Sequence, residues 1–280
     1  MHKYQRIFEE VYKLVGSRVS ALEFLYILSG IKNASRLIVH SSNITLFTEL
    51  CQRNDLIVVF SDSCFAIPSA TSYQNSIGKL TKECDYYYKE AYISVTESEV
   101  VNLKEATSGN DHRKVGVLLD YPICCIDFFM SWFALGQLKG MDFTSFISCG
   151  DKVYPYELNI FSKEFDACFL SHFPCSIDCS DSLKQAQVRK HFVQSNFPEI
   201  DSSFRKEMKS CVAYNSRSGV ICSKSFDRDE NDELIIIPRG NFYVNGEIWS
   251  QYETKTKIKE IAQSIWPDIE VSQIKTVAFI

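Results

Sequence analysis

The chain has 280 residues, 45% of them hydrophobic and 23% charged, and its 30 basic and 35 acidic side chains leave a net charge of -5. That length buries a large core, as one big domain or two of ordinary size, and the composition excludes disordered and collagen-like chains. The acidic balance gives no general nucleic-acid signature, the N-terminus MHKYQRIFEEVYKLVG lacks the apolar region of a signal peptide, and no run of 18 apolar residues predicts a membrane span.

Residues 3–15 predict a helix, with Tyr4, Ile7, Phe8 and Val11 on one face. A second helix is expected over Ala21–Leu28, ending at Gly30, then a strand over Arg36–His40. Ser42 or Asn43 is placed to cap a helix reaching Gln52, and Leu56–Phe60 is a continuous apolar run that suits a strand covered on both faces. This strand, helix, strand order is an α/β alternation. Residues 69–109 read as a polar, tyrosine-rich connecting region with a strand at Ala91–Val95, and Thr107–Lys114 as an exposed loop. Near the end, two β-rich runs around Pro238–Asn241 predict a hairpin, followed by a helix from Lys255 to Ile265, stopped at Pro267, and a last strand, KTVAFI.

The fold class expected is α/β or α+β, a mixed sheet with flanking helices, cysteine-bearing helix N-termini and a C-terminal β-hairpin. The organisation reads as an N-terminal α/β region over 1–110, a cysteine-rich helical region over 111–215 and a C-terminal hairpin, helix and strand over 216–280, packed as one or two compact domains.

Eleven cysteines is an odd number. In a chain read as cytoplasmic, where thiols stay reduced, metal binding or thiol chemistry is a better account of them than a disulfide framework. Cys51, Cys64, Cys84, Cys211 and Cys222 are assigned to packing as small buried hydrophobes. Two stretches stand apart. In DYPICC, Pro122 suits the first turn of a helix that carries Cys124 and Cys125. In HFPCSIDC, Cys175 and Cys179 sit at another expected helix start, capped by Ser176 or Ser180, with the two cysteines four residues apart on one face.

Unpaired N–H groups and the positive end of the helix dipole favour thiolates at both places. Four thiolates match a structural zinc or an iron–sulfur cluster. Adjacent cysteines suit a zinc knuckle poorly, and the i, i+4 spacing suits a multi-iron cluster, so iron–sulfur is the leading expectation and zinc the alternative. His172 is placed to act as a ligand or as a base for Cys175.

On these same residues the chain resembles an uncharacterised prokaryotic family, a domain of unknown function whose signature is Gly-Tyr-Pro-x-Cys-Cys followed by His-x-Pro-Cys-Ser-x-x-Cys. FLYILSGIKNA, Phe24–Ala34, resembles that family's opening helix and turn. The resemblance covers about residues 20–190 and implies one site holding Cys124, Cys125, His172, Cys175 and Cys179, without assigning a reaction. Asp120 stands where the signature has glycine, which alters the backbone leading to the cysteine pair or adds a carboxylate beside it.

Three functional readings follow. The first is a cytosolic iron–sulfur enzyme acting on a small molecule or a modified nucleoside, with Cys175, His172 and Asp120 as candidate catalytic groups. The second is a non-enzymatic binding module, zinc-stabilised or metal-free. The third is a metal-free enzyme with Cys175 as nucleophile. DRDENDELIII, from Asp227, fails as a calcium loop, because Asp232 replaces the needed glycine and Pro238 the bidentate glutamate, and it reads instead as an exposed hairpin approach. GxGxxG, P-loop, GxSxG and HExxH motifs are absent.

Overall fold

The computed structural model describes residues 3–66, 79–81, 87–138, 143, 146–147, 153–215, 219–231, 233–236, 241–244, 247–251 and 255–280. In chain order its first elements are helices α1 (Lys3–Val15) and α2 (Arg18–Leu28), strand β1 (Ala34–His40) and helix α3 (Ile44–Arg53). Strands β2 (Ile57–Phe60), β3 (Cys64–Ala66), β4 (Lys79–Thr81) and β5 (Tyr88–Ser94) come next. Helices α4 (Glu97–Ser108), α5 (His112–Leu118) and α6 (Ile123–Leu138), strand β6 (Val153–Tyr154), and helices α7 (Ser180–Asn196) and α8 (Pro198–Met208) occupy the middle of the chain. The remainder is β7 (Ser210–Asn215), β8 (Gly219–Ser223), β9 (Phe226–Arg228), β10 (Leu234–Ile236), β11 (Asn241–Val244), β12 (Glu247–Gln251), β13 (Thr256–Lys257), α9 (Ile258–Ile265) and β14 (Lys275–Phe279). The architecture is mixed α/β, as the sequence predicts.

The chain divides into two compact units, one of residues within 3–131 and 191–198, the other within 132–190 and 199–280. In the first, β5 is the central strand. It pairs antiparallel with all of β1, from Ala34 opposite Ser94 to His40 opposite Tyr88, and on its other edge with β2 and then β3. The strand expected inside a connecting region is therefore the hub of this sheet. Local pattern does not reveal this, because the partners of β5 lie about 30 to 60 residues upstream. The strand–helix–strand order of β1, α3 and β2 is present, but β5 lies antiparallel between the two strands. β2 is half-buried throughout instead of covered on both faces.

Helix α2 starts at Ser17, whose Oγ accepts from the Ser20 N–H at 3.1 Å. It ends in a Schellman turn: the N–H of Ile31 bonds the Tyr26 carbonyl, that of Gly30 bonds the Ile27 carbonyl, and Gly30 takes φ of 73°. Residues Ala21–Ile27 are all buried, among them Glu23, whose carboxylate pairs with the buried Lys32 and accepts from the Ser35 hydroxyl. Ala34, Tyr92, Val100, Leu103 and Val115 form a core between the sheet and helices α4 and α5. The expected loop at Thr107–Lys114 shrinks to Gly109–Asp111, because α4 runs to Ser108 and the Asp111 side chain caps α5 by accepting from the Lys114 N–H.

The second unit holds a six-stranded sheet in the order β12-β11-β8-β7-β14-β6, antiparallel except for the parallel pair β14 and β6. Cys211, Ala213, Ile236, Ile261 and Trp266 belong to its core, with α9 packed on β7 and β10. The predicted C-terminal hairpin is present one step later than expected: β11 pairs with β12, Val244 opposite Glu247. The runs flanking Pro238–Asn241 enter different sheets, since β10 pairs with β9 and β13. Residues 237–240 lie outside the described residues. The rejected calcium loop is the turn of the β9–β10 hairpin, where Asp229 Oδ1 accepts from the N–H groups of Asn231 and Glu233 at 2.9 Å.

Candidate metal centre

Helix α5 ends in the same kind of turn as α2. The Tyr121 N–H bonds the Gly116 carbonyl at 2.9 Å, the Asp120 N–H bonds the Val117 carbonyl at 3.0 Å, and Asp120 takes φ of 58°. Asp120 thus occupies the left-handed position that favours glycine, which aspartate tolerates better than most residues. Its carboxylate accepts two hydrogen bonds from Asn33, from the backbone N–H at 2.9 Å and from Nδ2 at 3.1 Å. Lys32 lies over the Tyr121 ring, 5.7 Å from its centroid. The turn after α2 therefore holds the segment that leads to the cysteine pair.

Pro122 then opens α6, its carbonyl accepting from the N–H groups of Cys125 at 2.9 Å and Ile126 at 3.0 Å. Cys124 and Cys125 lie within the first helical turn. Neighbours on a helix diverge by about 100°, and accordingly Cys124 is exposed while Cys125 is 3% exposed. Their sulfurs still approach to 3.9 Å. Gly116 makes room for this turn, since a Cβ there would stand 2.7 Å from Ile126 Cγ1.

The second pair differs from expectation. α7 begins at Ser180, and Cys179 takes the N-cap position, its carbonyl accepting from the Leu183 N–H at 2.9 Å. Cys175 lies outside the helix. The Cys179 N–H bonds the Ser176 carbonyl at 3.2 Å, closing a turn, and Ile177 is 2% exposed. His172, 5% exposed, shares a hydrogen bond of 2.9 Å between Nε2 and the hydroxyl of Ser182, itself fully buried. That bond ties the loop to the first turn of α7. Ser182 was not singled out from sequence, because SDS after Cys179 reads only as helix-start composition. Asn33 lies in the stretch resembling the family's opening helix and turn but was not itself singled out.

The four sulfurs of Cys124, Cys125, Cys175 and Cys179 lie within 4.8 Å of one another, and they could hold a metal ion. Ligands of a single tetrahedral ion at a metal–sulfur distance of about 2.3 Å stand about 3.8 Å apart, close to the 3.9 Å between Cys124 and Cys125. Cys124 and Cys125 lie in the first turn of α6 and Cys179 precedes the first residue of α7, while Cys175 lies in the loop before it.

The described cysteines that the sequence assigns to packing, Cys51, Cys64, Cys211 and Cys222, are buried, and burial pushes the thiols of Cys51 and Cys211 up to about 12. Cys168 is also buried, its Sγ 3.2 Å from the Leu170 carbonyl. Cys84 and Cys149 lie outside the described residues. Tyr154, Tyr156 and Glu157 form a packed aromatic turn: Glu157 pairs with Lys190 at 2.7 Å, and the ammonium groups of Lys190 and Lys209 lie 4.8 and 5.4 Å from the Tyr156 ring centroid. Among the described residues no helix is long and apolar enough to cross a membrane. Set beside known proteins, the chain matches no family model, no curated protein and no solved structure.

Proposed function

We propose that the chain is a metalloprotein in which Cys124, Cys125, Cys175 and Cys179 bind one zinc ion as a tetrathiolate. The observation that carries this reading is the convergence of all four sulfurs to within 4.8 Å. A four-iron cluster places each thiolate on a separate iron and so spreads its sulfurs further than one ion does. The expectation of a cluster leaned on Cys175 and Cys179 sharing a helix face, and Cys175 lies before α7. Zinc, without geometric preference of its own and tolerant of four sulfurs, fits the set best. The resemblance of DYPICC and HFPCSIDC to the prokaryotic signature supports grouping the same residues.

Bound metal would tie the first turn of α6 to the loop before α7, and its binding free energy would add to folding stability. Metal analysis after purification in thiol-protected buffer tests the proposal. One zinc per chain, lost together with thermal stability on chelation, is the expected result. Iron with stoichiometric sulfide in a coloured protein would replace zinc by the cluster and restore the iron–sulfur reading. A metal-free protein with rapid alkylation of Cys175 would favour the nucleophile reading.

A further inference from the structure

We infer that Cys124 is the exchangeable ligand of this centre, and that a low-molecular-weight thiol can take its place on the metal. The inference rests on the metal reading and goes one step beyond it. The four sulfurs are unequal: Cys125 and Cys179 are 3% and 6% exposed, Cys175 is half-buried and Cys124 is exposed. A metal–thiolate bond exchanges when a competing donor or a proton reaches it, and of the four only Cys124 stands fully open to both.

Its loss would also be the least disruptive. Cys125, the next residue on the same helical turn, keeps α6 attached, while Cys175 and Cys179 keep the loop before α7. Three buried or half-buried ligands with a fourth open position is the arrangement of reactive metal sites, whereas four closed ligands mark purely structural ones.

A thiol is the fitting partner because an all-sulfur site selects soft donors. In the step, the metal–Sγ bond of Cys124 breaks and a metal–sulfur bond to the incoming thiol forms. The proton of that thiol passes to Cys124, so donor set, charge and oxidation state are unchanged. The site would then present a metal-bound, activated small thiolate at the protein surface.

Cobalt(II) substitution tests this, with 2-mercaptoethanol as the probe. Cys124→Ala should bind cobalt one to one within about tenfold of the wild-type Kd, while Cys179→Ala weakens it by more than about 100-fold, above the range seen for lost outer-shell partners. The thiolate-to-cobalt absorption of Cys124→Ala should drop by about a quarter, one ligand of four, and return on adding 2-mercaptoethanol. In the wild type, limited iodoacetamide should modify Cys124 first among the four ligands, with the metal retained. Equal loss of cobalt in both variants, no recovery with the thiol, or first alkylation at another of the four ligands overturns the inference while leaving the metal centre standing. Wild-type protein that takes up no cobalt overturns the metal reading, and this inference with it.

Discussion

Asp120 holds a left-handed backbone position and also receives both hydrogen bonds of Asn33, so its substitutions separate two energies. Replacing it with alanine removes both bonds, each worth about 0.5–1 kcal/mol at a partly exposed site, and leaves a Cβ-bearing residue at φ near 58° without aspartate's tolerance, about 1 kcal/mol more. The sum is about 2–3 kcal/mol. Glycine loses the same two bonds but relieves the left-handed strain, so its net cost is about 0–1 kcal/mol. Asp120→Gly should therefore be more stable than Asp120→Ala by about 2 kcal/mol, with asparagine about 0.5–1 kcal/mol below wild type because it tolerates the conformation but keeps one accepting oxygen where aspartate has two. Urea titrations of the four proteins at pH 7, with the m-value checked for constancy, measure the order directly. An alanine variant as stable as the glycine variant would refute the assignment of Asp120 to a strained turn position.

Two further outcomes follow from the first unit. Lys32→Met leaves the buried Glu23 carboxylate without its cation and should cost about 3–5 kcal/mol, whereas Lys32→Met with Glu23→Leu should recover most of that; a double variant no better than the single one in urea melts contradicts the pairing. Burial, reinforced by the nearby Arg36 cation, holds the His112 imidazole below its ordinary value. The unfolded chain therefore binds a proton more readily than the folded one, and stability falls as pH drops below about 6.5, with the loss complete below the folded value. His112→Gln should flatten this part of the stability-against-pH curve, and an unchanged slope would assign it to other groups.

The limits of the sequence reading follow physical lines. Helices α1 and α2 and strand β1 were legible because local periodicity and a glycine stop encode them. β5 was not, because its central role depends on partners far along the chain. The hairpin at Pro238–Asn241 failed because two neighbouring β-rich runs joined different sheets, while the Asn245-Gly246 dipeptide between β11 and β12 was the better hairpin signal. The grouping of the four clustered cysteines was legible from their pairing and flanking prolines. The local geometry of Cys175 was not: a helix starting with Cys175 satisfies the same pattern, but the bond from His172 to Ser182 and the burial of Ile177 fix the loop instead. Such contacts are tertiary and leave no periodic trace.

The central position of β5 also affects how the chain is made. Among the described residues β1 and β2 do not pair with each other, and both complete their ladders on β5. Tyr88 follows Phe60 by 28 positions, so at about 5–20 residues per second a ribosome leaves two open strand edges waiting for roughly 1.5–6 s. During that interval the apolar edges built from Leu37, Val39 and Val58 invite pairing with other chains. Newly made protein thus exposes these edges until residue 94 emerges, before any of the four clustered cysteines leaves the ribosome.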